Sequence, residues 1–292
     1  MLEAFYHFLL KSTQSIFTIF KVMLRSNLLP QRHTAHNESC IILGNGPSLN
    51  PVLKKHQEEL QKHTLVCVNK FPDTIYYLQL KPAYYVVCSE EFWAKETMDP
   101  HHEGRQKMIQ AAIEKTNWNL TFFIPYSSKH NPLFLENIKQ NPNINLVFYN
   151  TTPIEGLTSL SNWLLKKRLG SPRPHNVLIP SILNMINSGY KEIYLLGADH
   201  SWLPMISVDH NNNALVNQQH FYDEHDTKSQ QMYRSGKRPR RLYEILEKFM
   251  FSFRAYFDLK DYATSRGVNI YNSTSESFID AFERKKIPGL QE

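Results

Sequence analysis

A short run of β-branched and other apolar residues near position 40 leads into a glycine-rich turn. The turn residues are Gly44, Asn45, Gly46, Pro47 and Ser48. A strand, a tight glycine loop and the start of a helix form the unit with which open α/β sheets hold nucleotides. Glycine lets the backbone approach a phosphate or a sugar, because no Cβ stands in the way, and serine can cap the following helix. These residue types in this order predict a nucleotide-binding loop.

Polar residues also follow other apolar runs that are predicted to be strands. These residues are Asn69, Ser89, Asp199, His200 and Asn272, with Gly197 placed so that a ligand could approach the backbone. Ligands of open sheets bind beyond the carboxyl ends of the strands, and neutral amides and hydroxyls suit sugar hydroxyls and base edges. Each side chain alone is explained as a turn or cap residue. Together they predict a site in which the acid binds a ribose diol or hydrogen-bonds a base.

A long polar insertion, residues 201–239, contains the residues that could move a proton. His220 and His225 can titrate near neutrality and act as a general base, with Tyr222 beside them; solvated loop histidines are the alternative. Such a long loop inside a compact domain is usually a lid or a disordered segment. We therefore expect a lid that carries the catalytic base.

Two groups of cationic residues could bind an anion. Arg238 and Arg240 belong to a basic run that could neutralise a nucleotide phosphate or an acidic acceptor, unless it is simply a solvated surface. Arg173 and His175 precede Asn176, which is suited to cap a helix whose N–H groups could meet a carboxylate. These cations are the predicted acceptor or phosphate contacts.

Composition narrows the classes of partner. The net charge of +6 favours anionic partners, but zinc-finger spacing and an aromatic RNA-binding motif are absent from the sequence, so nucleic acid is not expected. The three cysteines lie in or beside apolar runs, as small buried residues do in a reducing compartment. We find no metal-ligand spacing, and therefore expect no metal and no cofactor.

The pattern of apolar runs predicts the elements that position these residues. The predicted strands are 40–44, 64–68, 83–88, 120–125, 145–150, 191–197 and 267–271, and the predicted helices are 50–62, 90–116, 132–140, 154–168, 176–188 and about 240–265. Continuous apolar strands that alternate with helices indicate a mostly parallel sheet covered by helices on both faces. We expect an α/β, Rossmann-like domain over 39–292, with the lid inserted after the sixth strand.

The N-terminal segment, residues 1–30, combines apolar residues with interspersed cations, and a polar linker over 31–38 follows it. Its apolar run is interrupted well short of the roughly 20 residues that a spanning helix needs. An amphipathic helix of this kind can lie on an anionic membrane, or pack on the domain or on a partner subunit. We therefore expect a cytoplasmic protein, with peripheral contact to the inner face of the cytoplasmic membrane and homo-oligomerisation both open.

The glycine loop, Asn69 and the segment from Gly189 to Asp199 resemble the bacterial sialyltransferases of glycosyltransferase family 42. They also resemble the related motility-associated and MptE-like (pterin diphosphokinase-like) proteins. The resemblance runs from about residue 39 to 283. It implies a Rossmann-like domain with a lid and a metal-independent, inverting transfer from a CMP-activated sialic acid.

The resemblance also implies roles for particular residues. Asn45 and Asn69 would hold the cytidine monophosphate and its sugar, Asp199 would lie beside the nucleotide, and a lid histidine, preferably His220, would deprotonate the acceptor. The family's Arg-x-Thr-Ser-Gly element is replaced here by residues 174–178, so contact with the donor carboxylate passes to Arg173 or a neighbour.

The implied function is transfer of sialic acid or a related nonulosonic acid to a surface glycan acceptor, such as capsule or lipooligosaccharide, free or lipid-linked. One alternative is an MptE-like diphosphokinase that uses ATP and Mg²⁺, for which Glu90, Glu91 and Asp199 are the available carboxylates. Another is a non-catalytic, membrane-associated nucleotide-binding protein.

Overall fold

The computed structural model describes residues 2–29, 33–35, 37–94, 102–223, 228–234 and 238–290. Its strands are β1 (Ser39–Leu43), β2 (Leu65–Val68), β3 (Tyr84–Val86), β4 (Leu120–Pro125), β5 (Ile144–Tyr149), β6 (Glu192–Leu196), β7 (Ile206–Val208), β8 (Ala214–Val216), β9 (Gln230–Gln231), β10 (Tyr233–Arg234), β11 (Arg238–Pro239), β12 (Asn269–Asn272) and β13 (Glu283–Arg284). Its α-helices are α1 (Leu2–Arg25), α2 (Leu49–Lys55), α3 (Gln57–Leu60), α4 (Ile75–Leu80), α5 (His102–Lys115), α6 (Pro132–Lys139), α7 (Thr158–Lys166), α8 (Leu178–Ser188) and α9 (Leu242–Ser265).

A parallel sheet forms the centre of the molecule. Within the described residues its strand order is β13-β12-β6-β1-β2-β3-β4-β5, and every neighbouring pair is parallel. The chain moves from β1 to β2 on one side, whereas β6 lies against β1 on the other. The carboxyl ends of β1 and β6 therefore flank the topological switch point, where open α/β sheets bind ligands.

Helices cover both faces of this sheet, as strand β1 illustrates. Cys40 and Ile42 belong to the core on the face covered by α7, α8 and α9, whereas Ile41 and Leu43 belong to the core beneath α2 to α6. Successive side chains of a strand point to opposite faces, so a strand buried on both faces is apolar throughout. The predicted α/β, Rossmann-like fold is confirmed.

Each predicted strand has a counterpart in the structure, but three helix predictions need correction. The helix predicted over 50–62 is divided at His56, and that predicted over 90–116 becomes a 3-10 turn, Glu90–Phe92, and helix α5. The helix predicted over 154–168 begins only at Thr158. Helix α4 and the short edge strand β13 were not predicted, because each is too short to show a clear hydrophobic period.

The lid segment, residues 201–239, follows β6 as predicted and contains short antiparallel strands. Strands β7, β8 and β9 pair in that order, and β10 pairs with β11. Ala214 and Val216 of the lid segment pack against Ile245 and Phe249 of α9. The described part of the lid segment is thus attached to the first half of α9.

The predicted linker over 31–38 is described only in part. Residues 31, 32 and 36 lie outside the described residues. His33 Nε2 lies 2.7 Å from the hydroxyl of Tyr84, and the N–H of Ala35 donates to the carbonyl of Ser188. The described part of the linker is therefore bonded to the domain.

Candidate functional site

The loops that follow β1 and β6 bond directly to each other at the switch point. The N–H of Gly44 donates to the carbonyl of Leu196 at 2.7 Å, and the N–H of Gly46 donates to that of Gly197 at 2.8 Å. We call these two loops, residues 44–48 and 197–200, the switch-point loops.

The glycines of the switch-point loops allow the two loops to pack closely, because atoms of the facing loop occupy the space that a Cβ would fill. A Cβ on Gly46 would lie 1.8 Å from Oδ2 of Asp199, and one on Gly44 would lie 2.4 Å from the carbonyl oxygen of Gly197. Gly197 itself has φ +70°, a conformation that residues with a Cβ rarely adopt. The sequence suggested that these glycines admit a ligand, but in the structure their Cβ directions point at the neighbouring loop.

Asp199 joins the two loops through Ser48. The serine N–H donates to Oδ1 at 3.0 Å and its hydroxyl donates to Oδ2 at 2.8 Å. Burial raises the pKa of the Asp199 carboxyl, and the bonds from Ser48 oppose that shift. Both carboxylate oxygens thus have partners within the protein. The expectation that Ser48 caps the next helix is wrong, because its side chain makes no cap bond in α2.

The lid segment reaches the first switch-point loop at Asn45. The N–H of Phe221 donates to the Asn45 carbonyl at 3.0 Å, and the Phe221 ring packs between Phe71 and Tyr76. Among the described residues, the buried Oδ1 of Asn45 has no hydrogen-bond partner. Asn45 therefore lies under the lid segment with one amide oxygen unused.

His220 and Tyr222 lie on either side of this contact. The Nδ1 of His220 is 3.4 Å from Oδ2 of Asp223, and its backbone N–H donates to the same oxygen at 2.8 Å. The His220 ring stacks on Tyr222 with centroids 5.0 Å apart, and the Nζ of Lys70 lies 4.7 Å from the centre of the Tyr222 ring. The structure therefore brings His220 and Tyr222 to the predicted donor loop.

His220 is a half-buried imidazole beside a carboxylate. Burial lowers the pKa of His220, and the nearby carboxylate of Asp223 opposes the shift, so the ring is neutral at pH 7. A carboxylate at Nδ1 orients the imidazole and leaves Nε2 to accept a proton. The sequence analysis did not identify Asp223 or Lys70. An acidic residue three positions after His220 was the signal that could have identified Asp223.

Asn69 and Ser89 follow β2 and β3, as predicted. Asn69 has φ +48°, and its carbonyl accepts a hydrogen bond from the hydroxyl of Tyr85 at 2.8 Å. The carbonyl of Ser89 accepts from the N–H of Phe92 at 3.2 Å. Both residues are half-buried at the carboxyl edge of the sheet.

Asn176 and His200 form a buried polar cluster with Tyr256. The Asn176 oxygen accepts from the N–H of Leu178, so its amide nitrogen donates to His200 Nε2 at 3.1 Å. Nε2 also lies 2.5 Å from the Tyr256 hydroxyl, and burial lowers the pKa of His200 to about 3. His200 is thus a neutral ring whose Nε2 accepts hydrogen bonds within the protein.

Arg173 and His175 have different surroundings from each other. Arg173 makes a two-pronged ion pair with Glu155, at 2.7 Å and 3.0 Å. Burial, followed by the charges of Lys248, Arg173 and Arg240, lowers the pKa of His175 to about 4. Burial, followed by the charge of Arg240, lowers the pKa of Lys248 to about 8. We call Arg240 and Lys248, with His175 beside them, the cation cluster; His175 is neutral at pH 7, and a bound anion would relieve the repulsion between the two cations.

The remaining predicted site residues are Arg238, Asn272 and His225. Arg238 pairs with both oxygens of Glu244, at 2.9 Å and 2.8 Å, beside the start of α9. Asn272 is buried, its amide nitrogen donates to Ser277 and Ile279, and its oxygen accepts from the N–H of Thr274. His225 lies outside the described residues. Arg238 and Asn272 therefore act in the fold of their own segments.

Within the part of the chain that the structure describes, no three His, Cys, Asp or Glu side chains come together as metal ligands would. No family model and no curated protein sequence matches the chain. Among solved structures, the chain is similar to the MAf glycosyltransferase from Magnetospirillum magneticum AMB-1, with a TM-score of 0.47 and 12% identity. The likeness covers 91% of this chain and 36% of that one, so the chain spans about a third of that protein's length.

Proposed function

We propose that the protein is a glycosyltransferase that moves sialic acid or a related nonulosonic acid from a CMP-activated donor to a glycan acceptor. The observation that supports this proposal is that the His220–Asp223 pair flanks Phe221, whose N–H donates to the Asn45 carbonyl at the switch point. A neutral histidine oriented by a carboxylate, beside a nucleotide-type loop, is the arrangement that deprotonation of a sugar hydroxyl requires.

The donor is assigned to the first switch-point loop and the neighbouring strand end. Asn45 has an unused buried amide oxygen, and Asn69 lies at the end of the adjacent strand β2. Amide groups of this kind can bond a cytosine edge or sugar hydroxyls. Asp199 acts indirectly in this proposal, because its bonds to Ser48 hold the loop that carries Asn45.

The chemistry is a single displacement. The acceptor hydroxyl oxygen forms a bond to the anomeric carbon, the bond from that carbon to the phosphate oxygen breaks, and the proton passes to Nε2 of His220. CMP leaves with the bonding electron pair, and the anomeric configuration inverts. We assign stabilisation of the departing phosphate to Arg240 and Lys248 of the cation cluster, because a developing anion would relieve the repulsion between these two cations. The transfer as written uses no metal ion.

Thermal shifts with CMP, CDP, UDP, GDP and ATP, each with and without Mg²⁺, test the donor class. A ligand present at 100 times its Kd stabilises the folded state by about 2.7 kcal/mol, which gives a readily measured rise in Tm. We expect CMP alone to give this rise, with or without Mg²⁺. A response only to ATP with Mg²⁺, or only to a diphosphate nucleotide, would overturn the donor assignment.

His220→Asn tests the catalytic assignment. The variant should bind CMP with unchanged affinity but transfer sugar at least about 100-fold more slowly, because it lacks the base. His210→Asn is the matched control, since His210 is an exposed histidine in the turn between β7 and β8. Equal transfer rates in the two variants would exclude His220 as the base.

A further inference from the structure

Helix α1 packs on the domain with its polar side. Its buried side chains are Ser15 and Thr18, which are 5% and 0% exposed. The large apolar side chains of α1, by contrast, are mostly exposed to solvent, from Ile19 at 42% to Leu2 at 88%, and Val22 is the one that packs against the core. This is the reverse of a surface helix in a globular protein, whose apolar stripe faces the core.

Specific bonds hold α1 in this orientation. The Thr18 hydroxyl donates to the carbonyl of Glu155 at 2.8 Å and accepts from the N–H of the same residue at 3.1 Å. The hydroxyl of Ser15 accepts from the N–H of Leu157 at 2.9 Å. A Cβ on Gly156, which has φ +120°, would lie 2.3 Å from the Ser15 hydroxyl. The helix therefore docks closely on the 155–157 loop and presents its other side outward.

The outward side is an apolar face interrupted by Thr13, whose hydroxyl donates to the carbonyl of Leu9. Residues three, four or seven positions apart lie on one side of a helix. Six such residues run along α1 on the side away from Ser15 and Thr18: Leu2, Phe5, Leu9, Ile16, Phe20 and Leu24. The 24 residues of α1 span about 36 Å. We call these six residues, with the adjoining Tyr6 and Phe17, the apolar face. In the described residues, no helix is long and apolar enough to cross a membrane.

Cations lie at the edge of the apolar face and behind it. Lys21, four positions after Phe17, lies at the edge and is 3.7 Å from Glu155. Lys11 and Arg25 are exposed, but they are four positions before Ser15 and seven after Thr18, so they lie on the docked side of the helix. Glu3 is the one acidic residue of α1. Apolar side chains on one side and Lys or Arg on the other are the pattern of helices that lie in the plane of an anionic bilayer, with the apolar side chains about 5–10 Å deep.

We propose that the apolar face of α1 binds the surface of an anionic lipid bilayer and holds the domain against it. The proposal goes beyond the transferase function and does not depend on it. The bilayer is the partner that we assign to the apolar face. The alternative partner is a second copy of the chain, and the test below distinguishes the two.

The test is cosedimentation of the full chain with vesicles. The vesicles are phosphatidylcholine alone, or phosphatidylcholine with about one third phosphatidylglycerol. Phe17 and Phe20 are 61% and 59% exposed, so Phe17→Gln/Phe20→Gln removes apolar surface without opening a core. The control is Ile75→Gln/Leu133→Gln, which removes two somewhat more exposed apolar side chains, 70% and 72%, outside α1.

The wild type and the control should sediment with the anionic vesicles, and the α1 variant should bind at least tenfold more weakly with an unchanged melting temperature. Binding should also fall on phosphatidylcholine alone and at high salt. No binding of the wild type to anionic vesicles, or equal binding by both variants, would overturn the proposal. Light scattering on the same samples gives a further outcome. A dimer that only the α1 variant converts to monomer would assign the apolar face to a second copy and reject the bilayer.

Discussion

Replacing Gly46 by alanine should destabilise the fold through the contact between the switch-point loops. The new Cβ would lie 1.8 Å from Oδ2 of Asp199 and 2.7 Å from the carbonyl oxygen of Gly197, so the aspartate must move. Moving it breaks one or both bonds from Ser48, at 3.0 Å and 2.8 Å. A hydrogen bond to a charged group contributes about 1.5–3 kcal/mol. We expect Gly46→Ala to lower the free energy of unfolding by about 2–4 kcal/mol.

Urea unfolding of Gly46→Ala beside Gly104→Ala measures this effect. Gly104 lies in helix α5 with no atom within 4 Å of its Cβ direction, so the same substitution there should stabilise by about 0.5–1 kcal/mol. The Asp199→Ala variant measures the coupling between the two positions. In that background, adding Gly46→Ala should lower the free energy of unfolding by less than it does in the wild type. If Gly46→Ala unfolds within about 0.5 kcal/mol of the wild type, or if the two costs simply add, the loop contact does not constrain Gly46.

Two further predictions concern titration and anion binding. The pKa of His200 is about 3 in the folded state and about 6.5 when unfolded, so the unfolded state binds the proton between these values. The free energy of unfolding should therefore fall as the pH drops below 6.5, and this residue contributes at most about 1.4 kcal/mol per pH unit. Urea unfolding between pH 7 and pH 5 should show a smaller pH dependence for His200→Gln than for the wild type. Arg240→Gln should weaken binding of CMP about tenfold but leave cytidine binding unchanged, as isothermal titration would show. Lys228→Gln removes an exposed cation of the lid segment and should change neither affinity. A similar loss of CMP binding in both variants would make the effect one of general charge.

The sheet and its switch point could be predicted from the sequence because both depend on local patterns. Strands such as 120–125 are buried on both faces and therefore read as unbroken apolar runs. The glycine turn at residue 44 and the Gly-Ala-Asp-His turn at residue 197 mark strand ends in the same way. Parallel connection then requires these ends to meet at one edge.

The partners of the site residues could not be predicted, because they join segments that are distant in sequence. Ser48 and Asp199 are 151 positions apart, and Arg173 and Glu155 are 18 positions apart, with helix α7 between them. Amphipathicity likewise predicted helix α1 but not which side would dock. That side is decided by reciprocal bonds between Thr18 and Glu155, 137 positions apart.

The interlocked glycines of the switch-point loops have a consequence for how the substrate preference of the proposed transferase can diverge. Neither Gly44 nor Gly46 can acquire a side chain unless the facing loop changes at the same time, since the spaces they would fill contain the Gly197 carbonyl and the Asp199 carboxylate. Paired changes arise far less often than single ones. The lid segment has no such constraint at its exposed positions, such as Gln219. New specificity should therefore arise first by single substitutions in the lid segment, while the switch-point loops stay the same.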